Sequence, residues 1–216
     1  MPGPRVGAGI IQIMAVPDTP TPSARPPRER IVHAAMRLIR SQGVSASGMR
    51  EIVELAQAPR GSLQHYFPGG KQQLLTEALL YSGDIAARRV MRFAEQLPDP
   101  TPGSVFAALV GEWRELYRMK GFAEGCPLAA AAVDTAATSP VLREAVHRAL
   151  LGWQESLREV LAQLGVPEAR AGSLAMMMIS ALEGALILAR AHQDLQPLDA
   201  VIVELRPLLD SAVSAR

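Results

Sequence analysis

Apolar residues recur along this chain at helical spacing, in blocks cut apart by Pro and Gly. Ile31, Ala34, Ala35, Leu38 and Ile39 fall at i, i+3, i+4, i+7 and i+8. They predict an amphipathic helix from about Pro27 to Gln42, with Gly43 as the residue that ends it. Met49, Ile52, Val53 and Ala56 repeat the pattern and predict a second helix, with Gly48 as N-cap and Glu51 at the N3 position of a capping box. Pro59, whose fixed φ suits a first turn, opens a short third helix to about Tyr66. Leu63 and Phe67 face inward there, leaving Arg60, Ser62, Gln64 and His65 outside. Two short helices joined by a tight turn, the second with a polar outer face, have the geometry of a helix-turn-helix.

After Phe67-Pro-Gly-Gly, a long helix is expected from Lys71 to about Leu97, carrying Leu74, Leu75, Ala78, Leu79, Ile85, Ala86 and Val90. Pro98-Asp-Pro-Thr-Pro-Gly breaks the pattern. Further helices follow over Val105 to Met119, Leu128 to Ala137, and from the Ser139-Pro140 start signal to Leu164. The next, about Pro167 to Gln193, is almost entirely Ala, Met, Leu and Ile. Pro197 opens the last, which Pro207 should kink or end. With no strand pattern and no internal repeat, the expected fold is all-α. It comprises a three-helix head (27–70), a long connecting helix and a helical bundle (71–216). Residues 1–27 hold seven of the seventeen prolines, and residues 1–26 read as a disordered arm, with Met14 an alternative start.

Composition supports this: 49% hydrophobic residues allow a sizeable core, and few aromatics beside abundant Ala and Leu favour helices. The single Cys excludes an internal disulfide and fits a reducing, cytoplasmic setting. Arg5 followed by the apolar run Val6 to Val16 faintly resembles a signal peptide, but lacks a convincing cleavage site. No apolar run is read as a membrane span. Charge separates the halves more sharply than composition does. From Arg25 to Lys71 there are eight Lys or Arg against three Glu, in a chain whose total is +1. The remainder is therefore net acidic, and the basic end is the footprint of a polyanionic partner. Arg25, Arg28 and Arg30 are placed to reach phosphates or a minor groove.

The segment RERIVHAAMRLIRSQGVSASGMREIVELAQAPRGSLQHYFPGGKQQLLTEAL resembles the DNA-binding domain of TetR/AcrR-family transcriptional repressors. Gly43, Gly61, Leu63, Phe67 and Lys71 match the family pattern. Gln57 stands where the turn usually has Gly, Gly48 where a Ser or Thr cap is usual, and Gln64 where relatives carry Tyr. The resemblance implies DNA contacts from Arg50, Arg60, Gly61, Ser62, Gln64, His65, Tyr66 and Lys71. Lys71 and the helix N-terminus it opens should hold a phosphate together.

A helix apolar nearly all round must be buried on more than one side. Leu174, Ala181, Gly184 and Leu188, with Val201 and Leu205 of the last helix, are therefore expected to build a homodimer interface, as family resemblance also implies. Phe106, Trp113, Tyr117, Phe122, His147, Trp153, Met177 and Met178 are candidates to line a chamber for a small, mostly apolar effector. The function expected is a ligand-responsive regulator, a repressor by resemblance, that binds a near-palindromic double-stranded DNA operator. The alternative is a helical module that binds protein. No catalytic or metal role and no cofactor is expected. Glu144-x-x-His147 is a single copy of a motif that di-iron bundles need twice, and no nucleophile elbow, P-loop or dinucleotide fingerprint occurs. Cys126, in a Gly-Cys-Pro loop, is a structural thiol or a redox switch.

Overall fold

The computed structural model describes residues 25–59 and 61–213. Arg60 and nearly all of the arm fall outside them. Every regular element among the described residues is helical. The head consists of α1 (Pro27–Ala46), α2 (Met49–Leu55) and α3 (Ser62–Tyr66). From it α4 (Gly70–Gln96) runs into a bundle of α5 (Pro102–Lys120), α6 (Pro127–Thr135), α7 (Pro140–Gln163), α8 (Glu168–His192) and α9 (Gln196–Asp210). The all-α expectation holds.

One apolar core runs through head and bundle, from Ile31 and Ile52 to Leu198 and Leu209. The long α4 packs on α1 at one end and lies along α7. Their crossing is close enough that a Cβ on Gly83 would sit 2.8 Å from the Ala149 Cα, so only glycine fits. The short α6 lies between α1 and α7, while α8 packs on α7 and α9, and α9 covers α5.

Several boundaries differ from the sequence reading, each for a local reason. The third helix begins at Ser62 rather than Pro59, because Pro59 opens a turn closed by the Ser62 N–H on the Pro59 carbonyl at 3.0 Å. The expected capping box at Gly48 does not form; Glu51 instead accepts from the Gln42 amide at 2.8 Å. A capping box does form where none was expected, between Thr101 and Ser104, and it starts α5 at Pro102. Ser139 caps α7 as expected, accepting from the Leu142 N–H. Pro207 does not end α9, which continues to Asp210 with Leu209 buried. By length and composition α8 could cross a membrane, with a mean hydropathy of 1.7 over eighteen residues, which corrects the reading that no such run exists. Here its inner residues are packed against α7 and α9.

Candidate nucleic-acid interface and effector cavity

In the head, the turn after α2 is built to push α3 outward. Gln57 has φ +50°, the left-handed backbone expected at the position where relatives carry Gly. Arg30 of α1 holds this turn, donating to the carbonyls of Ala56 at 3.1 Å and Gln57 at 3.2 Å. Those bonds engage the guanidinium expected to reach a phosphate or groove. Arg28 is likewise engaged, paired with Glu77 at 2.6 Å and stacked over the Phe67 ring, and Arg25 meets His33. Phe67 is buried and Leu63 packs on the core, so α3 is anchored from its inner side. Gly61, Gln64 and His65 are exposed on the outer side. Tyr66 is half-buried, edge-on to His65 at 4.9 Å. The Ser62 hydroxyl is spent locally on the Pro59 carbonyl at 2.6 Å. Arg50 is exposed on α2 and pairs with Glu54. Lys71 lies in the first turn of α4, which has no acidic side chain; Gln73 Oε1 accepts from the Gly69 N–H there at 2.9 Å. Arg60 lies outside the described residues.

The bundle holds a cavity of about 60 Å³, lined by side chains of α1, α4, α5, α6, α7 and α8. Of the expected lining residues, Trp113 and Trp153 are there. Phe106 is fully buried elsewhere along α5. Tyr117 and Phe122 pack on each other at 4.9 Å, outside the cavity lining, with the Tyr117 hydroxyl buried, unpartnered and pushed up to about 12 by that burial. Met178 is core and Met177 half-buried. His147 is exposed on α7, beside the exposed Glu144, and cannot line an interior chamber; its place four residues after Arg143 puts it on the solvent stripe. Cys126 lines the cavity, and burial holds its thiol well above the usual range. That protonated state disfavours a redox-switch role.

What the apolar pattern missed were the charged walls, Arg40, Arg89 and Glu112. A signal was available: Arg40 follows Met36 by four, Arg89 follows Ile85 by four, and Glu112 follows Leu109 by three. Each charge sits on its helix's apolar stripe. Arg40 also ties the head to the bundle. Its Nε donates to the Gly125 carbonyl at 3.3 Å, its own carbonyl accepts from the Gly125 N–H at 2.9 Å, and its guanidinium covers Trp113. Nearby, Asp134 of α6 accepts from the backbone N–H groups of Val44 at 2.8 Å and Ser45 at 3.3 Å.

The outer faces of α8 and α9 are apolar and open. Met176, Ile187, Leu188, Val203 and Leu208 are 50–67% exposed. Of the expected interface residues, Leu188 lies here and Ala181, Gly184, Val201 and Leu205 are half-buried beside it. Leu174 faces the core instead, so it is removed from the candidate face. Met176, Ile187, Val203 and Leu208 were not anticipated, because a helix apolar all round does not reveal which side its neighbours cover.

Residues 31–78 match the model for bacterial regulatory proteins of the tetR family, and residues 102–204 match the C-terminal domain of LmrA/YxaF-like transcriptional regulators. An uncharacterized HTH-type transcriptional regulator of Mycobacterium tuberculosis is 37% identical over 189 residues, covering 85% of this chain and 94% of that protein. The HTH-type transcriptional regulator LmrA of Bacillus subtilis is 33% identical, covering 79% and 90%. A TetR transcriptional regulator from Legionella pneumophila superposes with a TM-score of 0.73 at 22% identity, over 88% of this chain and 98% of that one. An open recognition-type helix on a tight turn, set on a long helix that leads into a bundle with a cavity, thus comes with relatives over nearly the whole chain, and the protein belongs to the TetR family of HTH-type transcriptional regulators.

Proposed function

We propose that this regulator binds a near-palindromic operator as a homodimer, represses from it, and is released by a small effector that enters the bundle cavity. The observation that carries the reading is the outward face of α3, with Gln64 and His65 exposed above a buried Phe67 and Lys71 one turn away. Gln64 and His65 are suited to base edges in the major groove. Lys71 and the first turn of α4, free of acidic side chains, suit a phosphate, because the helix dipole there favours negative charge. The open stripe on α8 and α9 suits a twin subunit, which would place two heads on one face of the DNA. Residues 27–70 act as the DNA-binding unit and 71–216 as the effector and dimer unit.

Release follows from size and linkage. A cavity of about 60 Å³ holds a handful of waters, so an organic effector must part its walls to enter. Cys126, Pro127 and Leu128 at the start of α6 form one wall, and α6 holds the head through Asp134. An effector favouring displaced walls weakens operator binding by the factor that DNA weakens effector binding.

Selection of bound fragments from a random DNA pool tests the reading; symmetric half-sites with fixed spacing are expected. Lys71→Ala should weaken every sequence alike and lower the salt slope by about one. Gln64→Ala should relax preference at one base pair, by about 1–3 kcal/mol for a bidentate contact. DNA affinity unchanged in both variants would sink the assignment of this face.

A further inference from the structure

The cavity walls carry a charge imbalance that an apolar effector would leave unsatisfied. Arg89 pairs with Glu112 at 3.2 Å, and Arg92 shares that carboxylate at 3.7 Å. Arg40, on the opposite wall, pairs with Glu124 at 3.4 Å. Three guanidiniums therefore face two carboxylates. Of the other acidic groups nearby, Glu115 of the adjoining pocket is paired with Arg118 at 3.2 Å. Burial pushes Glu183 up to about 7, so it is only partly ionised at neutral pH, and holds the Cys126 thiol neutral. Burial and the neighbouring Arg40 and Arg92 lower the Arg89 pKa, while Glu112 alone among the carboxylates opposes them.

The unpartnered atoms point the same way. Trp153 lines the cavity with its Nε1 buried and without an acceptor, and the Nε of Arg92, which shares the Glu112 carboxylate, is also buried without one. A buried donor without an acceptor is destabilising, and an incoming acceptor relieves it. The rest of the wall is apolar and partly flat: Trp113, Trp153, Leu109 and Leu182. Arg40, Arg89, Glu112 and Trp113 also border an adjoining pocket with Glu115, Leu116 and Met119, which gives a bound molecule a path along α5.

We infer that the cavity is an anion site for an amphipathic organic acid, its carboxylate bound by Arg89 and Arg40 and its apolar body lying on Trp113 and Trp153. The inference rests on the reading of this cavity as the effector site, and it supplies the ligand's chemical class. Arg supports it better than Lys would, since the guanidinium fork matches a carboxylate's two oxygens.

Both tryptophans of the chain line the cavity, so intrinsic fluorescence of the full-length protein reports on it directly. Three probes of one shape are titrated at neutral pH: 4-cyclohexylbutanoate, its amide and 4-cyclohexylbutylamine. The acid should bind at least about tenfold tighter than the amide, with the amine weakest. Arg89→Met should reduce the acid to the amide's affinity while the amide itself still binds. Glu112→Gln, which removes the competing carboxylate, should tighten the acid, an effect that a loss of packing would not produce. Equal binding of acid and amide, a preference for the amine, or no binding of any probe at millimolar concentration overturns the inference. Operator release is measured separately on fragments recovered from the DNA selection. Selective binding of the acid without DNA release would leave the anion site standing and remove the effector reading.

Discussion

Glu183 sits on α8 with both carboxylate oxygens buried beside the Cys126 thiol. Burial pushes it up to about 7 from the ordinary 4.5, the Cys126 thiol beside it offsetting part of the effect. In the unfolded chain the proton leaves near 4.5, so the folded state holds it longer. The stability linked to this group is complete below 4.5 and is lost as pH rises to about 7. At about 1.4 kcal/mol per pH unit, the interval between 4.5 and 7 amounts to about 3 kcal/mol. Glu183→Gln keeps the shape and a neutral polar group while removing the titration. The variant should therefore match the parent protein near pH 4.5 and exceed it above pH 7. In a domain of this size the difference corresponds to about 6–12 °C in Tm. Thermal unfolding followed by circular dichroism at pH 5 and pH 8, at one fixed protein concentration, measures it. Parallel pH profiles for the two proteins would refute the argument, because they would mean that the carboxylate ionises freely where it sits.

Other substitutions probe the head and the dimer face. Phe67→Ala should cost about 3–5 kcal/mol and abolish DNA binding, since α3 loses its buried anchor; denaturant titration and gel shift read the two effects. Gly43 has φ +81° and lies against the Asp134 carboxylate. Gly43→Ala should cost about 1–2 kcal/mol in backbone strain alone and displace the Asp134 contact with Val44. Hydrogen exchange at Val44 and Ser45 checks this, and unchanged protection would count against that contact. His33, bonded to the Tyr81 hydroxyl at 2.9 Å, is lowered to about 4 by burial and then by Arg25. Its folded pKa lies below its ordinary 6.5, so its contribution is present above pH 6.5 and is lost toward pH 4. His33→Gln should flatten that acid limb in an unfolding series. Ile187→Glu and Val203→Glu should each yield monomers in sedimentation and weaken operator binding; dimers at parental affinity would free this stripe from the interface.

The helical pattern in this chain is strong because each helix has one neighbour-facing stripe, and stripes are local. That is why α1, α2, α4 and α7 were legible to within a few residues, and why the Ser139 cap could be read in advance. Phe67 and Leu63 against Gln64 and His65 likewise separated inside from outside on α3 before any coordinates. Where the signal was weak, the reading failed in a consistent way. Along α8, apolar on every side, periodicity could not distinguish Leu174, turned inward, from Met176 and Ile187, turned out. His147 looked like a pocket residue until α7 was packed and its face went to solvent.

The amino-acid sequence alone determined that the chain is helical, roughly where most of its helices lie, and that its basic end carries a helix-turn-helix, because propensity, capping and amphipathic spacing act over a few residues. Only the tertiary structure decided that Arg30 bonds the turn after α2, and that Arg40, Arg89 and Glu112 meet around one cavity. Those groups lie up to seventy-two residues apart in the chain, and the electrostatic energy between them depends on distances and burial that exist only once α1, α4 and α5 have packed.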